Sequence, residues 1–153
     1  MIYVTTGGRE AVAQLITKHI GPEARLLHDP DGAPLLAGSD LHISISHSRH
    51  FAALMTDPTR RCGVDIEEAR PEQLLKVRSK FLTDRELPLW ADDLLTAWTI
   101  KEAVYKAAGT PGLALGAIDI SRPGVATLPD GRRFALQSVV APDYTLTSAL
   151  PMP

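Results

Sequence analysis

Between Leu41 and Ser48 the sequence reads LHISISHS, so that Leu41, Ile43 and Ile45 alternate with His42, Ser44 and Ser46. A two-residue period places the apolar side chains on one face of an extended chain and the polar ones on the other, the pattern of a half-buried strand. FAALMT (51–56) follows as a second strand, and the two would close a hairpin around Ser48 to His50. DPTRR makes the next turn and CGVDI (62–66) a third strand.

Beyond these strands the texture turns helical. Pro71 suits the first turn of a helix reaching Phe81. Thr83 and Glu86 have capping-box spacing, but Pro88 follows too soon for a long regular helix. A longer helix is expected from Asp92 to Ala108, opened by two aspartates and closed by Gly109 and Pro111. Before the strands, Glu10 to Ile20 has helical spacing and Ile2 to Val4 suits a short strand, with a turn at Asp29 to Gly32. Ala117–Ile120, Phe134–Val140 and Tyr144–Leu150 are strand candidates. Strands, then helices, then strands predict an α+β fold with mostly antiparallel pairing.

Size and charge narrow the function. At 153 residues and 44% hydrophobic, the chain suits one compact unit or two small halves packed together. A formal net charge of −2 supplies no overall basic field for nucleic acid or a membrane. One cysteine, Cys62, permits neither an intramolecular disulfide nor a multi-cysteine zinc site. The N-terminus lacks a basic segment leading an apolar one, and no run approaches membrane-spanning length, so a cytoplasmic protein is expected.

Asp65 and Glu67 lie two apart on the third strand, on one face, where like charges repel unless a cation or proton comes between them. At about 100° per residue, Glu102 and Lys106 stack one turn apart at the edge of the long helix's apolar arc, while Lys101 falls inside it. An i,i+4 Glu–Lys pair is also an ordinary helix stabiliser. A lysine amid apolar neighbours either snorkels to water or meets an anion. Taken together, Asp65, Glu67 and Glu102 have the chemistry to hold one hard cation such as Mg²⁺, with Lys101 and Lys106 beside it to contact phosphates.

GVDIE followed by WTIKEAVYKAAG resembles the paired signature of the 4′-phosphopantetheinyl transferase superfamily, and SISHS resembles a third motif of that family. The order of the motifs, with DPDGAPLL and FLTDRE near their expected places, is similar to the surfactin-synthetase-activating branch. The resemblance implies a fold of two pseudo-twofold-related α/β halves, divided here as 1–61, a shortened N-terminal half, and 62–153, which carries the metal site. It implies a transferase of the holo-acyl-carrier-protein synthase type, which moves 4′-phosphopantetheine from coenzyme A to a serine of an apo acyl or peptidyl carrier protein. Asp65, Glu67 and Glu102 match its magnesium ligands, and Glu102, Lys106 and Asp65 its catalytic groups. Ser46, His47, Lys101 and Lys106 would contact coenzyme A. Ala33 stands where the branch has a lysine, and Arg9, Lys18, Arg25 and Arg49 are the residues that could substitute for the N-terminal basic residues with which the branch contacts coenzyme A. A monomer is expected, with no nucleic-acid or membrane partner. Carrier proteins are typically acidic, and Lys76 and Lys80, with Arg78 and Arg85 nearby, offer a basic docking face.

Three alternatives compete. TIKEAVYKAAGT resembles the start of a helix-turn-helix, but the apolar, glycine-rich PGLALGAIDI that follows does not suit a recognition helix. Another magnesium-dependent phosphotransfer enzyme would need the same carboxylates. A relative that binds a carrier protein without catalysis would retain the fold.

Overall fold

The computed structural model describes residues 1–153. Strand β1 (Ile2–Thr6) leads through a 3-10 turn at Gly8–Ala11 into α1 (Val12–His19). Strands β2 (Leu26–His28) and β3 (Pro34–Leu36) form a small hairpin, and β4 (His42–His47) and β5 (Phe51–Asp57) a larger one. After β6 (Gly63–Glu67) come α2 (Pro71–Phe81), the single turn α3 (Leu87–Trp90) and α4 (Leu94–Ala108). Strands β7 (Asp119–Arg122), β8 (Val125–Thr127), β9 (Arg133–Val140) and β10 (Thr145–Pro151) complete the chain. No helix is long and apolar enough to cross a membrane.

The larger strands form two sheets, one ordered β1-β5-β4 and one ordered β6-β10-β9-β8-β7. Every pairing is antiparallel, so the α+β expectation holds. Several details differ from the sequence pattern: β2, β3 and β8 are not expected from it, and some boundaries move. The first helix begins at Val12, because Gly7 and Gly8 take positive φ and feed a 3-10 turn. The long helix begins at Leu94, where Asp93 serves as N-cap by accepting a hydrogen bond from the Thr96 N–H (3.3 Å). Of the 117–120 candidate, Ala117 belongs to a 3-10 turn and β7 starts at Asp119.

Each sheet carries its own core. Helix α1 sets Leu15 and Ile16 against Leu54 and Ile43 of the first sheet. Helices α2 and α4 cover the second, where Phe81, Ile100, Val104, Ile120 and Phe134 belong to a cluster of 15 buried residues. A third cluster joins the sheets, with Ala53 and Met55 from β5 meeting Val64 and Ile66 of β6 and Leu146 of β10. Val64 and Ile66 face that cluster, so Gly63, Asp65 and Glu67 face the other way.

Gly63 fixes how closely α4 lies on β6. A Cβ there would stand 1.9 Å from the carbonyl oxygen of Ala103 and 2.8 Å from the amide nitrogen of Ala107. Both are helix backbone atoms, which cannot turn aside as a side chain does. Gly63→Ala should therefore displace α4 and lower stability by about 3 kcal/mol, the upper part of the overpacking range. Urea unfolding of the two proteins measures this, and a loss below about 1 kcal/mol would mean that the helix is free to shift.

Candidate functional site

Strands β4 and β6 are the adjoining edges of their two sheets, yet no backbone ladder joins them. Side chains satisfy the edge that β6 turns away from β10. The Val64 N–H donates to Ser44 Oγ and the Ile66 N–H to Ser46 Oγ, each at 3.0 Å. Lys106 of α4 spans the same seam, donating to the carbonyls of Val64 (2.9 Å) and Ile45 (3.2 Å) and to Asp65 Oδ1 (3.3 Å). An ammonium has three donors, and these three acceptors use them all. Lys106 therefore pairs with Asp65 across the seam, and no Glu102–Lys106 ion pair forms.

Asp65 is the most perturbed group here. It is 4% exposed, and burial pushes its carboxyl up to about 7, with Glu67 and Glu102 adding to the rise and Lys106 opposing it. Oδ1 is occupied by Lys106 and by the Ser46 hydroxyl (3.2 Å), but Oδ2 is buried without any partner. Glu67 is held from two sides, accepting from the Trp98 indole N–H (3.2 Å) and pairing with Arg70 (3.3 Å). Glu102 sits one turn from Lys106 and forms no ion pair; burial raises its carboxyl pKa, and Glu67 pushes in the same direction. An orphaned buried carboxylate oxygen with two further carboxylates close enough to be felt is an all-oxygen donor set, which fits a hard cation. No three of these groups converge tightly enough to hold an ion without movement.

A cavity of about 1030 Å³ opens beside the seam, walled by α1, the β2–β3 hairpin and β4, with Lys106 at its inner end. His47 lines it and is exposed, whereas Ser46 is buried in the seam and does not reach it. Of the N-terminal basic residues Arg9, Lys18, Arg25 and Arg49, only Arg9 lines it; Lys106 does so as expected, and Arg61, which sequence reasoning passed over, lines it as well. It directly precedes the CGVDIE strand, but its partner, the Lys106 carbonyl, lies 45 residues away, so the sequence around it gave no cue.

Lys101 corrects an expectation. It does not face phosphates, because its ammonium is fully buried and ion-paired to Glu86 (2.8 Å), with a further bond to the Ile118 carbonyl. Glu86 also accepts from the Thr83 N–H (3.0 Å) and hydroxyl and from the Ile120 N–H (2.8 Å). The capping box of Thr83 and Glu86 exists, and Glu86 uses it to receive the lysine. Burial lowers the Lys101 pKa and Glu86 opposes that shift. Lys101→Met should cost about 3–5 kcal/mol, because it strands a buried carboxylate. Adding Glu86→Leu to it should recover part of the loss. Urea melts of the single and double variants check this, and a double variant weaker than the single would contradict it.

Comparison with known proteins gives the family. Residues 61–140, from just before β6 to the end of β9, match the family described as the 4′-phosphopantetheinyl transferase superfamily. A 4′-phosphopantetheinyl transferase, HetI of Nostoc sp. strain PCC 7120, is 30% identical over 132 residues, an alignment covering 76% of this chain and 56% of that protein. The chain thus spans little more than half the length of the curated relative it matches. The matched segment contains Asp65, Glu67, Glu102 and Lys106, and the chain belongs to the 4′-phosphopantetheinyl transferase superfamily.

Proposed function

We propose that this chain moves 4′-phosphopantetheine from coenzyme A to a serine of an apo acyl or peptidyl carrier protein and releases adenosine 3′,5′-bisphosphate. The observation that carries the reading is the orphaned Oδ2 of Asp65, buried near Glu67 and Glu102, whose carboxylate is bonded by Lys106, which also lines the cavity. Asp65, Glu67 and Glu102 would hold Mg²⁺, which when bound neutralises developing charge on the pyrophosphate. The chain's own groups do the remainder. The serine Oγ forms a bond to the phosphorus that carries pantetheine as the bond from that phosphorus to the departing nucleotide's oxygen breaks. Glu102, unpaired and raised in pKa, takes the serine proton. Lys106 gives up one seam acceptor to donate to a phosphate oxygen, and the cavity takes the nucleotide.

The test is to incubate the protein with coenzyme A, Mg²⁺ and a panel of apo carrier proteins and weigh the carriers. A mass gain of one phosphopantetheine is expected, and its absence from every carrier would reject the reading. Asp65→Asn should abolish the gain. Asp65 also sets a pH dependence. Its carboxyl titrates near 7 when folded against an ordinary value of 3.8, so the folded state holds an extra proton between the two. Stability from this group therefore falls as pH rises from about 4 to about 7, and Asp65→Asn removes the fall. A cation needs the deprotonated form, so Mg²⁺ should raise the melting temperature more at about pH 8 than at about pH 6. Equal shifts at both would exclude Asp65 as a ligand.

For the carrier, α2 presents Lys76, Arg78 and Lys80 to solvent together with Leu75, which is 50% exposed. A basic face with one apolar contact suits an acidic partner, and exposed charge acts over about 8 Å at physiological salt. Lys76→Glu with Lys80→Glu should raise the carrier KM and weaken its salt dependence, leaving the KM for coenzyme A unchanged. Steady-state kinetics at two salt concentrations distinguish this from docking elsewhere, which would leave the carrier KM unmoved.

A further inference from the structure

Arg61 lies at the junction between the two sheets, between β5 and β6, and its side chain lines the large cavity. Its Nε donates to the carbonyl of Lys106 (3.0 Å), in the last turn of α4. That is the negative end of the helix, where a cation is favoured and the open carbonyls need donors. Gly109, the left-handed C-cap of the helix, gives the guanidinium its seat. A Cβ at that position would come within 2.5 Å of Arg61 Cζ and Nε. A side chain pinned by Nε keeps its two terminal nitrogens for another partner.

No partner occupies them. Arg61 makes no ion pair, whereas its neighbour Arg60 is bound to Asp57. The carboxylates on the cavity, Asp29, Asp31 and Asp40, leave Arg61 unpaired. Asp29 is folded back on its own turn, with Oδ1 accepting from the N–H of Asp31 and Ala33 at 2.9 Å each. That turn offers Ala33 where a cation would otherwise stand, so it supplies no positive charge.

We infer that Arg61 is a second phosphate contact of the cavity beside Lys106, holding a phosphate group of coenzyme A from the junction between the sheets in place of a cation on the 29–34 turn. The inference rests on the proposed use of coenzyme A. A planar fork fixed at Nε presents two parallel donors to a tetrahedral anion, which a lysine ammonium does not. Because the anchor is the Lys106 carbonyl, the phosphate is held next to the lysine that spans the seam.

Calorimetric titration of the purified chain with coenzyme A, dephospho-coenzyme A and adenosine 3′,5′-bisphosphate tests this. Arg61→Met should weaken coenzyme A binding about ten- to a hundredfold, the range for a lost hydrogen bond to a charged group. Arg61→Lys should lose less. If dephospho-coenzyme A is weakened equally, the contact is to the pyrophosphate; if it is indifferent to the variant, the contact is to the 3′-phosphate; both support the inference. Arg61→Gln retains a donor for the Lys106 carbonyl and serves if Arg61→Met does not fold. A folded uncharged variant that binds coenzyme A like the unaltered chain would overturn the arginine assignment alone. An unaltered chain that binds neither coenzyme A nor the bisphosphate would overturn the proposed function, and this inference with it.

Discussion

Two sheet edges meet in this protein without pairing, and the rest of the structure depends on how that meeting is made. An unpaired edge of N–H and C=O groups invites any passing strand unless something occupies it. Here Ser44 and Ser46 accept the N–H groups of Val64 and Ile66, and Lys106 takes the carbonyls of Ile45 and Val64. Side chains hold the strands in register without bringing the backbones to ladder distance. The gap this leaves is what allows a carboxylate, Asp65, and an ammonium, Lys106, to sit inside the protein beside a cavity. A backbone ladder between β4 and β6 would have bonded the edges directly and left no place for either group.

Helix α4 carries two lysines toward two carboxylates, and the contrast between them locates the chemistry. Lys101 and Glu86 are buried together, and every oxygen of Glu86 has a donor. That pair is closed and fixes α4 against the 83–86 turn and β7. Lys106 and Asp65 are not closed in the same way, since one oxygen of Asp65 has no donor and its neighbours on both elements, Glu67 and Glu102, are also acidic. An uncompensated buried oxygen costs about 1–3 kcal/mol. The fold carries that cost where Gly63 lets α4 approach β6 most closely, which argues for a group that is completed by a ligand.

The same comparison explains what was legible in the sequence. Spacing placed Asp65 and Glu67 on one face of a strand and Glu102 on a helix, and the structure brings α4 onto that face because Gly63 has no side chain. The helical wheel placed Lys101 in the apolar arc, which was correct, but periodicity cannot name a partner 15 residues away in the chain. Alternation in LHISISHS was read correctly as a strand with a polar face. It could not reveal that this polar face is also buried, Ser44 at 2% and Ser46 at 6% exposed, against another strand. The three-residue strands β2, β3 and β8 lack enough residues for a period to register. Arg61 was invisible for a different reason: its role comes from the end of a helix 45 residues later.

Lys106 has three acceptors in the seam, so it can turn toward an anion in the cavity only by releasing one of them. Which one it releases follows from what else each acceptor has. The carbonyls of Ile45 and Val64 lie on strand edges where another donor would be needed. Asp65 is different, since its Oδ1 keeps the Ser46 hydroxyl and a cation at the orphaned Oδ2 would compensate its charge. The seam itself survives the change, because the two serine bonds and the apolar contacts of Ala53, Met55, Val64 and Ile66 do not involve the lysine. The ammonium is thus the one member of the seam that is free to exchange partners without loosening the two sheets. It bonds Asp65 and lines the cavity, so an exchange of that kind is the route by which the ammonium can reach an anion there.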